Sequence, residues 1–285
     1  MGSEYLYKEE HGDGDPILCL HGLGANTFTW RYFIDPFSRH NKLILVDLKG
    51  YGKSAKPEDD HYSVYDHADS IHELILQNDW RRLTLIGNSY GGALALLLAV
   101  RLEESQPSRL AKLVLIDCGA YKEYLPGYVK LMRTFLGKPI IFLLPARLTV
   151  KSVLKFCFFD KEKISKAQLE AYAVPLRDPG ARTALLQTMQ QSIPSDADAV
   201  VAKLKNISVP TLILWGRHDK VIPLKVGQLL SQVIPNSVLE VFEECGHIPQ
   251  EELPQKTIER ISDFLAIGST HQSLTRAASP LDLCQ

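Results

Sequence analysis

The chain has 285 residues, of which 45% are apolar and 23% charged, a composition that excludes a disordered or fibrous protein and a length that suits one α/β core carrying an insertion. Lys and Arg number 32 against 33 Asp and Glu, a net charge of −1. This lacks the basic excess that neutralises phosphates, so nucleic acid is not an expected partner.

Short aliphatic and β-branched runs, too short for helices, recur at Ile17–Leu20, Leu43–Val46, Leu83–Ile86, Leu113–Ile116, Thr211–Trp215 and Val238–Phe242. Helical patterns separate them, at about Phe28–Ser38, Val64–Asn78, Tyr90–Glu103, Leu224–Val233 and Pro254–Leu265. Strands alternating with helices predict an α/β fold, a mostly parallel sheet covered by helices on both faces. The rhythm stops between Asp117 and Pro210, where the chain carries helix-like patterns and several prolines but no strand. The expected organisation is a core in two parts, residues 1–118 and 207–267, interrupted by a helical cap insertion at 119–206. Residues 268–285 turn small and polar without periodicity, which predicts a flexible tail.

The longest purely apolar stretches, Ala93–Val100 and Ile140–Leu144, fall far short of the ~20 residues that cross a bilayer. The N-terminal residues lack a basic start followed by an apolar run. The expectation is a cytoplasmic protein with no membrane span. Five scattered cysteines without a Cys-x-x-Cys pair suggest neither a disulfide framework nor a zinc site, and no metal or cofactor is expected. The oligomeric state is not readable.

Chemistry concentrates in a few stretches. Gly87-Asn88-Ser89-Tyr90-Gly91 fits G-x-S-x-G, with the strand Leu83–Ile86 leading in and an apolar helix leading out. A strand reversing directly into a helix strains the serine, and side chains two positions either side would clash, hence the glycines. Leu18–Gly24 places a His-Gly loop after a strand, where the backbone N–H groups of Leu23 and Tyr90 can meet at a developing oxyanion. Asp219 follows the strand Thr211–Trp215, and His247 follows Val238–Phe242, so Ser, Asp and His come in the order of an α/β-hydrolase triad. Other residues have plainer readings. His21 and Asp47 read as structural, Cys245 as packing, and Gly50–Ser54 fails as a P-loop because the first glycine of that motif would fall at Asp47. Asp117 also ends a strand and competes with Asp219 for the acid's place.

LHGLG, VDLKGYGKS at Val46–Ser54, IGNSYGG, LWGRHD and CGHIPQEE together resemble the capped α/β-hydrolase superfamily, with its serine esterases, lipases, haloperoxidase-like enzymes and carbon–carbon bond hydrolases. The resemblance implies Ser89 as nucleophile, Asp219 as acid and His247 as base. An elbow serine excludes the branches that use aspartate there, the epoxide hydrolases and haloalkane dehalogenases. The leading expectation is hydrolysis of a carboxylic ester of a hydrophobic small molecule through an acyl-enzyme. Two alternatives stay open: cleavage of a carbon–carbon bond in a vinylogous diketone, which Gly-Asn-Ser at the elbow favours, and a non-catalytic ligand sensor. The aromatic-rich insertion offers Tyr121, Phe135 and Phe158 as candidate substrate contacts.

Overall fold

The computed structural model describes residues 6–266. Each aliphatic run forms a strand: β2 (Asp15–Leu20), β3 (Asn41–Val46), β4 (Leu83–Asn88), β5 (Leu110–Ile116), β6 (Thr211–Gly216) and β7 (Ser237–Phe242). An additional strand, β1 (Lys8–His11), precedes them and pairs antiparallel with β3. Its Lys-Glu-Glu-His sequence has no apolar alternation to mark it. Charge on this edge also discourages pairing with another chain. The spatial order is β1-β3-β2-β4-β5-β6-β7, and every pair after the first is parallel.

Strand side chains alternate between two cores, as a period of two requires. Leu18, Leu20, Leu83, Leu85, Leu113, Leu115, Ile213 and Trp215 face one apolar cluster. Ile17, Cys19, Ile86, Val114, Ile116, Leu212 and Leu214 face the other. Burial on both sides explains why these runs read as continuously apolar.

The predicted helix at 28–38 is split into a 3₁₀ turn over Thr27–Phe33 and a short α1 (Ile34–Ser38). Pro36 lacks the N–H that a continuous helix would donate across that junction. On the other face lie α2 (Val64–Gln77), started by a Ser63–Asp66 capping box, and α3 (Tyr90–Ser105). From Asp117 to Pro210 the chain forms α4 (Gly127–Met132), α5 (Gly137–Leu143), α6 (Ala146–Cys157), α7 (Lys166–Ala173), α8 (Pro179–Gln190) and α9 (Ala197–Lys203), with 3₁₀ turns and no strand. Val129, Met132, Leu186 and Met189 give this segment a small core of its own, while Val150, Leu154, Phe158 and Tyr172 join the main one. After β6 come α10 (Lys225–Val233), α11 (Pro249–Glu252) and α12 (Pro254–Ala266). The polar stretch 268–285 lies outside the described residues. Among those residues no helix is long and apolar enough to cross a membrane.

Candidate active site

β4 runs into α3 through Ser89, whose φ of 55° is the left-handed conformation that a serine rarely adopts. Backbone bonds hold it there: its N–H donates to the Ile116 carbonyl at 3.0 Å, and its carbonyl accepts from Gly119 at 3.0 Å and Ala93 at 3.2 Å. A Cβ on Gly91 would lie 2.1 Å from the Leu20 carbonyl oxygen, and one on Gly87 would lie 2.3 Å from that of Gly91. The glycines are therefore what lets the start of α3 pack onto the end of β2.

The loops after β6 and β7 bring the acid and the imidazole together. Asp219 Oδ1 accepts from the N–H groups of Val221 at 2.7 Å and Ile222 at 3.0 Å, which turns Oδ2 toward His247 Nδ1 at 2.7 Å. A carboxylate at that distance places the imidazole hydrogen on Nδ1 and leaves Nε2 as an acceptor. Both side chains are shielded, Asp219 fully and His247 almost so. His247 is fixed through its backbone as well, donating to the Cys157 carbonyl at 2.7 Å and accepting from Asn88 Nδ2 at 3.1 Å. Asn88 donates also to the Ile116 carbonyl, so its amide braces the serine turn against the histidine loop. Ser89 and His247 border the same cavity without a direct hydrogen bond between them among the described residues, a looseness common before substrate arrives.

Asp117 lies beside this pair. It is fully buried with a φ of 44°, its Oδ1 accepts from Gly216 N–H at 2.9 Å, and its Oδ2 has no partner. Asp117, Asp219 and His247 each offer a ligand atom within 4.8 Å of the others. Burial, and then the charge of Asp219, push the Asp117 carboxyl well above the usual carboxylate range. Asp219 already directs both oxygens at N–H donors, and one of those donors is His247 Nδ1, so the observed bonds make this set a hydrogen-bonded acid–imidazole pair.

The His-Gly loop packs against the serine turn: a Cβ on Gly22 would stand 3.1 Å from Ser89 Cβ. His21 is fully buried, with Nδ1 against the Gly22 carbonyl at 2.8 Å and Nε2 accepting from Leu48 N–H at 3.0 Å. Burial lowers its pKa, so it is a neutral brace for the loop. Asp47 supports the same region by accepting from the N–H groups of Thr27 and Lys53, both at 2.7 Å.

Two cavities, of about 140 and about 230 Å³, share Leu23, Ser89 and Tyr128 in their walls. Tyr121 lines the smaller one. Phe135 and Phe158 line neither, which corrects the expectation for both. Phe135 is 88% exposed, and Phe158 is buried in the main core, where truncation acts on packing rather than on substrate contact. Aromatic composition alone does not separate wall, core and surface.

Glu251 and Glu252, within the CGHIPQEE stretch, were not singled out by sequence reasoning. Glu251 lines the larger cavity and accepts from Thr29 Oγ1 at 3.0 Å, Tyr172 Oη at 2.6 Å, Gln168 Nε2 at 2.8 Å and Arg31 Nη1 at 2.5 Å. It thereby ties α7 to the 3₁₀ turn and to α11. Glu252 accepts from the N–H groups of Gly246 at 2.8 Å, Phe159 at 3.2 Å and Asp160 at 2.6 Å, pinning the histidine loop to the end of α6. Their only sequence signal is two adjacent acids following the histidine. Glu251→Ala is expected to cost about 3–5 kcal/mol, because it leaves Arg31 and three neutral donors without their buried acceptor; urea denaturation would measure it, and a loss below ~1 kcal/mol would contradict the pinning role.

A strained serine turn and an Asp–His pair above a mostly parallel sheet define a hydrolase of the α/β class. The chain belongs to the α/β hydrolase fold family, whose family model matches residues 15–254. A 2-hydroxy-6-oxo-2,4-heptadienoate hydrolase of Pseudomonas putida is 30% identical over 262 residues, covering 90% of each chain. An esterase from Exiguobacterium antarcticum superposes with a TM-score of 0.77 at 26% identity, over 91% of this chain and 94% of that one. A meta-cleavage product hydrolase from Pseudomonas fluorescens shares the fold, with a TM-score of 0.77 at 21% identity, over 93% of this chain and 95% of the other.

Proposed function

We propose that this hydrolase cleaves a carboxylic ester of a neutral, hydrophobic small molecule through an acyl-enzyme on Ser89. The observation that carries the reading is the pair of apolar cavities meeting at Ser89, one for each side of a scissile ester. His247 Nε2 takes the Ser89 proton as the hydroxyl attacks the ester carbonyl, and Asp219 stabilises the imidazolium. The N–H groups of Leu23 and Tyr90 receive the negative charge that develops on the carbonyl oxygen. The leaving alcohol takes the proton from His247, and water activated by the same imidazole releases the acid.

The second reading, carbon–carbon bond cleavage, is supported by the heptadienoate hydrolase relative. That relative's substrate is an anion, so this chain would need a cation in the cavity to hold a carboxylate. Arg182 borders the larger cavity and is the residue that could do so: its Nε donates to the Leu176 carbonyl at 2.7 Å and its Nη1 to those of Ile141 and Phe142 at 3.0 and 2.8 Å, neutral acceptors that leave its charge in place. Lys122, in the wall of the smaller one, pairs with Asp198. The buried Glu251 carboxyl also lies in the larger cavity's wall. Apart from these charged groups the linings of both cavities are mostly apolar, which suits the neutral acyl and alcohol parts of an ester. Purified enzyme assayed on p-nitrophenyl butyrate and on a heptadienoate ring-fission product should show the larger kcat/KM on the ester. Turnover of the dienoate without the ester moves the assignment to the second reading, and binding without turnover of either supports a ligand sensor.

A further inference from the structure

Ten of the fourteen exposed large apolar side chains among the described residues fall in one stretch, from Leu131 to Phe159. The most exposed are Phe135 at 88% and Leu143 at 80%, which flank the two ends of α5, a helix only ~10 Å long at 1.5 Å per residue. Leu136 and Leu144 are their chain neighbours, and Leu148 and Phe156 continue the set along α6, whereas the Phe159 ring is stacked on His218 of the core at 4.3 Å between centroids. Scattered exposed leucines are ordinary, but a cluster of this density marks a surface that meets something apolar.

The charge of the same stretch is one-sided. Between Glu123 and Asp160 there is no acidic residue, while Lys130, Arg133, Lys138, Arg147, Lys151 and Lys155 all lie there. With an overall net charge of −1, the rest of the chain is net acidic. Among the described residues Lys130, Lys138, Lys151 and Lys155 form no ion pair. At 100° per residue, Leu148, Lys151, Lys155 and Phe156 share the outer face of α6, opposite the buried Val150, Leu154 and Cys157. Lysines interspersed among apolar side chains suit lipid headgroups above acyl chains. They do not suit a protein partner, whose interface core would exclude them.

Cavity and patch meet. Leu144 and Val153 line the larger cavity and are also 48% and 43% exposed, so the cavity wall and the apolar cluster share these two side chains.

We propose that the α4–α6 face is a docking surface for an anionic lipid bilayer, seating the mouth of the larger cavity against the membrane so that the substrate is a lipid ester drawn from it. The docking rests on the surface alone; the substrate class rests on the ester reading above. The protein is peripheral on this account, with side chains inserted at headgroup depth and no span.

The test is vesicle flotation of the full chain. Wild type should float with vesicles of equimolar phosphatidylcholine and phosphatidylglycerol, bind pure phosphatidylcholine more weakly, and be released by high salt. Phe135→Ser combined with Leu143→Ser should lower binding at least about tenfold, since both side chains would insert. Charge reversal by Lys138→Glu, Lys151→Glu and Lys155→Glu should abolish the preference for anionic vesicles at roughly fivefold or more per residue. None of these residues borders a cavity, so turnover of a soluble short-chain ester should stay unchanged and certify the fold. Wild type that stays unbound in both vesicle preparations overturns the proposal. So does an equilibrium dimer that the Phe135→Ser/Leu143→Ser variant dissolves, which would assign the face to a second copy. Vesicle binding without hydrolysis of any ester, soluble or embedded, leaves the docking standing and removes the ester reading instead.

Discussion

Ser89→Ala is expected to lose about 10⁴-fold or more in kcat on an activated ester, the scale of triad knockouts in serine hydrolases. The loss should fall on kcat rather than KM, because the cavity walls that bind substrate are untouched while the acyl-enzyme has no other nucleophile. Cys118, Cys157 and Cys245, the nearby thiols, are buried, and burial pushes each of them away from the reactive thiolate form. The fold should survive, since alanine fits wherever serine does and inherits the same φ of 55°. Ser89→Gly is a sharper control: it is equally without a nucleophile but relieves the left-handed strain, so its Tm should be at or above that of Ser89→Ala. Retention of most activity by a purified Ser89→Ala protein would sink the mechanism, and a glycine variant less stable than the alanine one would argue that the conformation is not strained.

The elbow, the Asp–His pair and six of the seven strands were legible in the sequence because local physics specifies them. A strand that must reverse into a helix needs glycines at Gly87 and Gly91, and the close approaches to Gly91 and Leu20 carbonyls show why no other residue fits. Strands buried on both faces need unbroken aliphatic runs. β1 was invisible because an edge strand facing solvent has no apolar period to display. The cavity walls were harder, since Tyr121, Phe135 and Phe158 carry the same apolar signal yet end up lining, exposed and buried. What separates them is how six short helices pack, which depends on long-range contacts. Glu251 and Glu252 escaped for a similar reason. Their partners Gln168, Tyr172, Phe159 and Asp160 lie some eighty to ninety residues away in the chain.

The acid's identity turns on two aspartates that differ in their hydrogen bonds. Asp219→Asn is expected to cost about 10⁴-fold in kcat, as the same change does in a serine protease. The two N–H groups of Val221 and Ile222 hold the Oδ1 position as an acceptor, so the amide nitrogen must take the Oδ2 position facing His247 Nδ1. That nitrogen donates where the carboxylate accepted, which drives the imidazole hydrogen to Nε2 and leaves no base for Ser89. Asp117→Asn should behave in the opposite way. Burial and the charge of Asp219 raise the Asp117 carboxyl well above the usual carboxylate range and so favour its neutral form, and an asparagine copies a neutral acid: its oxygen accepts from Gly216 N–H, and its amide hydrogens replace the acid's O–H. Activity should fall by ~10-fold or less, within what local repacking produces. Stability adds an independent readout. A carboxyl raised in the folded state binds its proton more tightly there than in the unfolded chain, so its contribution is full below the unfolded pKa and is lost as pH rises through the folded one. Asp117→Asn removes that loss, and the variant should therefore be level with wild type in acid and gain relative stability as the pH is raised. Kinetics of both single mutants on one activated ester, with denaturation curves at acid and alkaline pH, decide the matter. A reversed ranking would move the acid to Asp117, and a variant that loses stability relative to wild type on going alkaline would mean that Asp117 is ionised in the fold.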